Sequence, residues 1–270
     1  MKNQQEARSF ILSCHAQSEC GARFQVSEYT REGSEVLFVV DEDYRDLCTE
    51  GEALWGADDH ENLPLENSAS KRIGRGAVRI ATLKNGQKVV IRQFLRGGIF
   101  AKLNRDHFLL PSRLPRGSSL THSRPYRELI ALASLRAQNV AVPRPVAVLV
   151  RRLWGLAYQG WIVTELIENA QNLLALVSDR SYRELRQLVH QGGSVAKGML
   201  AAGVVHRDLH LGNLLVTPQG MTLIDFDKAD IVNNSETDFH RRYLLKRFRR
   251  SAIKHGLPEL TFDFAAGLLD

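Results

Sequence analysis

The spacing of apolar residues changes period several times along the chain, and each change marks an element. The run VLFVV at 36–40 is continuous and β-branched and predicts a strand, followed by an acidic loop, DEDYRDL. From Gly74 the order is GRG, AVRIATL, KNGQ and KVVIRQF. This is a Gly-rich turn feeding two β-rich runs joined at Asn85-Gly86, the dipeptide that best tolerates positive φ at both central positions of a tight hairpin. SRPYRELIALASLRAQN switches to helical spacing, with Pro125 near the start, Leu129, Leu132, Ala133 and Leu135 on one face, and Asn139 as the stop. VAVPRPVAVLV at 140–150 reads as extended, because Pro143 and Pro145 each disfavour helix in the residue before them. GWIVTELIE at 160–168 reads as a buried strand leading into a linker, where the β-rich part ends.

Beyond that linker, Ser181 and Glu184 form an S-x-x-E capping box opening a helix that runs to the Gly203 stop. Gly192 and Gly193 weaken its middle by roughly 1 kcal/mol each relative to Ala. The block VVHRDLHLGNLLVTPQGMTLIDFDKAD at 204–230 contains two short strands, LLV and MTLIDF. Thr217-Pro218-Gln219-Gly220 joins them, with Pro at the favoured second position of a type I turn. The hairpin folds Asn213 and Asp225 back toward one point, with Asp208 on the loop side. The basic run HRRYLLKRFRRSAIKHG, near the C-terminus, is compatible with a further helix.

Composition narrows the class. With 270 residues, 44% hydrophobic and 24% charged, the chain is a folded globular protein. The formal charge of +6 favours an anionic partner such as nucleotide, nucleic acid or a phospholipid surface. Cys14, Cys20 and Cys48 fit no metal-ligand spacing and read as reduced thiols in a reducing compartment. The start, MKNQQEARSF, lacks the pattern of a signal peptide, and no apolar run is long enough to span a bilayer, so any membrane contact is expected to be peripheral.

Phosphoryl transfer needs two oxygen ligands for a metal on the nucleotide phosphates and a separate carboxylate to orient and accept the proton of the attacking hydroxyl. Asn213 and Asp225 are candidates for the first role and Asp208 for the second; no proton transfer is assigned to His206. The order H-R-D-L-x-x-x-N, then a hairpin ending in I-D-F, resembles the catalytic and metal-binding loops of the protein-kinase-like superfamily. The resemblance extends upstream. Gly74-Arg75-Gly76 precedes the first strand of the hairpin, where backbone N–H groups could approach phosphates. Val89-Val90-Ile91-Arg92 stands where the superfamily has V-A-I-K, and Glu128 stands on the next helix as its partner. Arg replaces the usual Lys and offers a permanent charge with a two-pronged contact. Only Lys228 to Asp270 follow the I-D-F-D run, without A-P-E, which disfavours a protein substrate.

IRQFLRGGIFAKLNRDHFLL, SRPYRELIALASLRAQNVAVPRPVAV and the VVHRDLHLGNLLV and LIDFDKAD segments resemble, from about Gly74 to Asp230, the 3-deoxy-D-manno-octulosonic acid (Kdo) kinase family of Gram-negative bacteria, relatives of the lipopolysaccharide core heptose kinases. The R-x-x-x-R-G-G run from Arg92 matches that family and accounts for Arg at this position. The catalytic run differs, reading HRDLHLGN where the family has nearer H-x-D-L-N-x-x-N, which leaves Kdo and another core sugar both open as acceptor.

The resemblance implies an α+β, bilobal protein-kinase-like fold: an antiparallel β-rich N-lobe over 1–167, including an N-terminal extension, and a short helical C-lobe over 168–270. It implies ATP and Mg²⁺ between the lobes, with Asp208 as base, Asn213 and Asp225 as metal ligands, and Gly74, Gly76, Arg92 and Glu128 at the nucleotide. It also implies a Kdo-bearing lipid A precursor as acceptor at the cytoplasmic face of the inner membrane. Two surfaces are candidates for anionic partners: Arg96, Lys102 and Arg105, and the basic C-terminal run carrying Arg241, Arg242, Lys246, Arg247, Arg249, Arg250 and Lys254. No nucleic acid is expected. The alternatives are a heptose or other small-molecule kinase, and a nucleotide-binding pseudokinase.

Overall fold

The structure, a computed structural model, describes residues 7–11, 23–31, 33–44, 78–83, 85–94, 108–109, 119–233 and 237–270. Gly74, Gly76, the Arg96, Lys102 and Arg105 cluster and the three cysteines lie outside the described residues. Two compact units are present, and among the described residues the chain changes over between them after Ile130, Pro143 and Leu166.

The first unit is built on a sheet of β1 (Ala7–Ile11), β2 (Arg23–Arg31), β3 (Ser34–Asp41), β4 (Val78–Thr82), β5 (Lys88–Gln93), β6 (Phe108–Leu109), β7 (Pro145–Trp154) and β8 (Ala157–Glu165). Its order is β1-β2-β3-β7-β8-β5-β4 with β6 also on β8, and neighbouring strands are antiparallel. Helix α1 (Arg124–Ala137) starts in this unit and buries Leu129, Leu132 and Leu135. Asn139 follows it at φ 57, the left-handed stop that Asn tolerates.

Alternation decides what β5 does. Val89 and Ile91 face a core shared with Val40, Tyr44, Val146, Trp161 and Val163, so Arg92 stands on the opposite face, half-buried. The turn before β5 differs from the sequence expectation. Gly86 is at φ 83, whereas Asn85 is not left-handed and instead accepts the Gln87 N–H on Oδ1 at 3.0 Å. The Gly86 N–H reaches the Leu83 carbonyl at 2.8 Å, so a side-chain turn at Asn85 and one left-handed glycine close the loop.

The second unit contains β9 (Gln171–Asn172), α2 (Tyr182–Ala201), β10 (Val204–Val205), β11 (Leu214–Thr217), β12 (Gly220–Leu223), β13 (Asp230–Ile231), α3 (Asp238–Lys254) and α4 (Leu260–Leu269). Both arms of the Ser181–Glu184 capping box are formed at the start of α2. β11 and β12 pair antiparallel with Thr217 opposite Gly220, but the ladder ends at Leu223, so Ile224 to Phe226 leave the strand earlier than expected.

Gly192 and Gly193 require a correction. They are not merely weak points of α2; both are buried, and a Cβ on Gly193 would stand 2.3 Å from the Phe264 carbonyl oxygen of α4. From the other side, a Cβ on Gly267 would stand 1.9 Å from the His190 carbonyl oxygen. Glycine lets the two helix backbones touch, and the packing gained outweighs the propensity lost. Phe264 in turn stacks on Phe248 of α3 at 4.1 Å between centroids, 8° between planes.

Candidate active site

The segment from His206 to Asn213 is held from several directions. His206 is 1% exposed; its Nδ1 accepts the Asp208 N–H at 3.1 Å, so Nε2 carries the proton and donates to the Ile224 carbonyl at 3.1 Å. Burial pushes its pKa down to about 4, so the ring is neutral near pH 7 and ties the Asp208 loop to the segment leading into Asp225. His210 caps the short turn at Leu211–Asn213 by accepting the Gly212 N–H on Nδ1 at 3.0 Å. The Gly212 carbonyl accepts from Asn172 Nδ2 of β9 at 2.6 Å.

Asp208, Asn213 and Asp225 lie in the same unit and are connected. Asn213, 5% exposed, donates through Nδ2 to the Asp208 carbonyl at 3.0 Å, which fixes the amide so that Oδ1 is the atom that could ligate a cation. The Ile224 N–H donates to the Asn213 carbonyl at 3.1 Å, placing Asp225 one residue beyond Asn213's partner. Asp225 itself adopts φ 67, a left-handed conformation uncommon outside glycine, of the kind found where a site fixes a side chain. An amide oxygen and a carboxylate, with water and phosphate oxygens completing the shell, suit a hard divalent cation.

Two residues that the sequence left unassigned to this site meet Asp208. Lys228 Nζ lies 2.6 Å from Asp208 Oδ2, and the Arg247 guanidinium pairs with Oδ1. Lys228 follows Asp225 closely in the I-D-F-D-K run, a proximity that was legible. Arg247 comes from α3, where nothing local distinguishes it from its basic neighbours.

Helix α3 has two faces. Tyr243, Arg247 and Ser251 recur every fourth residue and all hold the segment from His206 to Asn213: Tyr243 OH donates to the Arg207 carbonyl at 2.9 Å, and Ser251 Oγ accepts the Leu211 N–H at 3.2 Å. The Arg207 guanidinium sits over the Tyr243 ring and pairs with Asp230 at 2.6 Å. Arg242, Lys246, Arg249, Arg250 and Lys254 are exposed, with Phe239 and Ile253 among them. The basic run is thus a helix, but Arg247 belongs to its inward face and not to the exposed basic surface.

In the first unit, Arg92 of β5 and Glu128 of α1 form the expected ion pair; Glu128 is 4% exposed and the Arg92 guanidinium lies 4.8 Å from the Phe94 ring centre. A fork-shaped guanidinium holding a buried carboxylate is a stiff replacement for the strand lysine.

The model of the lipopolysaccharide kinase (Kdo/WaaP) family matches residues 65–263. The chain belongs to that family. It is 30% identical to a 3-deoxy-D-manno-octulosonic acid kinase of Vibrio cholerae over 68% of this chain and 74% of the relative. A kinase of the same name from Haemophilus influenzae is 31% identical over 67% of this chain and 73% of the relative. A solved structure of WaaP in complex with acyl carrier protein superposes with a TM-score of 0.55 at 17% identity, covering 86% of this chain and 88% of that one, which establishes the protein-kinase-like fold. Membership makes the chain a lipopolysaccharide core kinase, a phosphotransferase with an alcohol group as acceptor, that uses ATP. Among the described residues, no helix is long and apolar enough to cross a membrane.

Proposed function

We propose that this kinase transfers the γ-phosphoryl group of ATP to a hydroxyl of Kdo on a lipid A precursor. The observation that carries this reading is the linked set of Asp208, Asn213 and Asp225, complete in a chain that resembles Kdo kinases over more than two thirds of their length. Asp208 orients the acceptor hydroxyl and takes its proton as the new O–P bond forms and ADP leaves. Asn213 and Asp225 hold Mg²⁺, which when bound neutralises charge on the phosphate oxygens. Arg92, fixed by Glu128, orients the nucleotide phosphates, and the sequence assigns Gly74 and Gly76 to the same role. In this assignment residues 1–167 form the nucleotide-binding lobe and 168–270 the catalytic lobe.

The test is transfer of labelled phosphate from Mg-ATP to a Kdo-bearing lipid A precursor, beside a heptose-bearing core acceptor and a generic protein. Label on the Kdo lipid is the expected result. Label on the heptose acceptor alone would replace Kdo as substrate, and ATP binding without transfer to any acceptor would make the chain a pseudokinase.

The same reading places the protein on the cytoplasmic face of the inner membrane. Its support is the exposed face of α3, where Phe239, 67% exposed, and Ile253, 54% exposed, flank Arg242, Lys246, Arg249 and Arg250. Each basic residue near an anionic leaflet contributes about 1 kcal/mol. Cosedimentation with phosphatidylglycerol vesicles should exceed that with phosphatidylcholine vesicles, and the triple variant Arg242→Glu, Lys246→Glu, Arg249→Glu should lose the difference. Unchanged binding by the triple variant would remove α3 as the membrane contact.

A further inference from the structure

Asp208 is the one group in the proposed mechanism that must meet the acceptor hydroxyl, and it is held by two cations. Lys228 takes Oδ2 and Arg247 takes Oδ1. Two cationic side chains thus converge on one carboxylate at the point where the hydroxyl arrives. The cluster is also open to solvent, with side-chain exposures of 24% for Asp208, 30% for Arg247 and 50% for Lys228. Of the Arg247 nitrogens, Nη2 engages Asp208, and Nε and Nη1 make no hydrogen bond among the described residues. The guanidinium can therefore keep one N–H on Asp208 and present the others to a second anion.

A neutral sugar offers these donors no anion. A sugar acid brings a carboxylate on the same ring system as its hydroxyls, so presenting a hydroxyl to Asp208 carries that carboxylate toward Arg247 and Lys228.

We propose that Arg247, assisted by Lys228, is the acceptor-carboxylate subsite of this enzyme: it selects a sugar acid over a neutral sugar and seats its hydroxyl against Asp208. This rests on the reading of Kdo as acceptor and adds to it the residue that recognises the acid group. Arg247 is a binding residue here, and transfer itself still proceeds through Asp208.

The experiment compares the Kdo-bearing acceptor with its carboxyl methyl ester in steady-state transfer, for the wild type, Arg247→Gln and Arg247→Lys. A charge-assisted contact to the carboxylate predicts that esterification lowers wild-type kcat/KM by about 10- to 100-fold. Arg247→Gln unties Asp208 as well and should lower transfer to both acceptors, but the ratio of acid to ester should fall by about the same 10- to 100-fold, so that the variant no longer discriminates; Arg247→Lys should retain part of the preference. The KM for ATP should stay unchanged. An Arg247→Gln enzyme that keeps the wild-type preference for acid over ester, or whose loss appears in the KM for ATP, overturns the proposal. Binding of free Kdo and of its methyl ester, by calorimetry without nucleotide, separates this proposal from the acceptor reading. If wild type transfers nothing to the Kdo lipid, yet binds the acid over the ester and Arg247→Gln does not, the subsite stands while the acceptor assignment falls. Equal binding of acid and ester by the wild type removes the subsite. Thermal unfolding of each variant identifies any loss that comes from misfolding.

Discussion

Asp208→Asn should lower phosphoryl transfer by about 10²- to 10⁴-fold, the range over which a positioned general base contributes, while leaving ATP affinity within a few-fold. The amide has nearly the shape of the carboxylate, so a steric cause is excluded. Its NH₂ cannot accept the hydroxyl proton, and the amide carries no charge to hold Lys228 and Arg247. The variant therefore loses the base and loosens the tie from α3 in one step. The backbone ties of the loop remain, because the Asn213 bond goes to the Asp208 carbonyl and the His206 bond to its N–H. The check is labelled transfer beside nucleotide binding on the same preparation. Retention of wild-type turnover would remove Asp208 as the base, and joint loss of turnover and ATP binding would point to collapse of the site.

Gly267→Ala should destabilise the protein by about 1 to 3 kcal/mol or more, seen as a fall in Tm of roughly 2 to 10 °C. Helix propensity alone predicts the opposite sign, since Ala in a helix interior is favoured over Gly by about 1 kcal/mol. The space decides. The added Cβ would stand 1.9 Å from the His190 carbonyl oxygen, 2.9 Å from its carbon and 3.0 Å from the Ser194 nitrogen, all backbone atoms of α2 that no rotamer change can move. The α2 and α4 backbones would have to separate, dragging Phe264 off Phe248. Thermal unfolding of Gly267→Ala beside an exposed control such as Ser178→Ala measures the difference. A variant as stable as wild type would mean that the helices relax at no cost.

Much of this was legible where the signal is local. The β4–β5 hairpin, the span of α1, the capping box of α2 and the order of Asp208, Asn213 and Asp225 all follow from residues near one another in the chain. The misreadings share a physical origin, because each depends on what a distant segment supplies. Gly193 reads as a defect until Phe264 and Gly267 are brought against it. Arg247 reads as one of several equivalent surface charges until α3 is rotated so that Leu244 and Phe248 are buried, which aims Arg247 at Asp208. At Asn85 a side-chain hydrogen bond replaced the expected left-handed backbone, two local solutions that composition does not distinguish. Gly74 and Gly76 lie outside the described residues, and their assignment rests on the order of the sequence.

The strand arginine has a consequence for how such an enzyme is detected. A reagent that carries an acylating group to the nucleotide needs a free amine beside it, which a lysine on this strand would supply. Arg92 stands there as a guanidinium tied to Glu128, so it offers no amine to acylate. Chemical surveys that score kinases by modification at this strand position would therefore pass over this chain, even when ATP is bound.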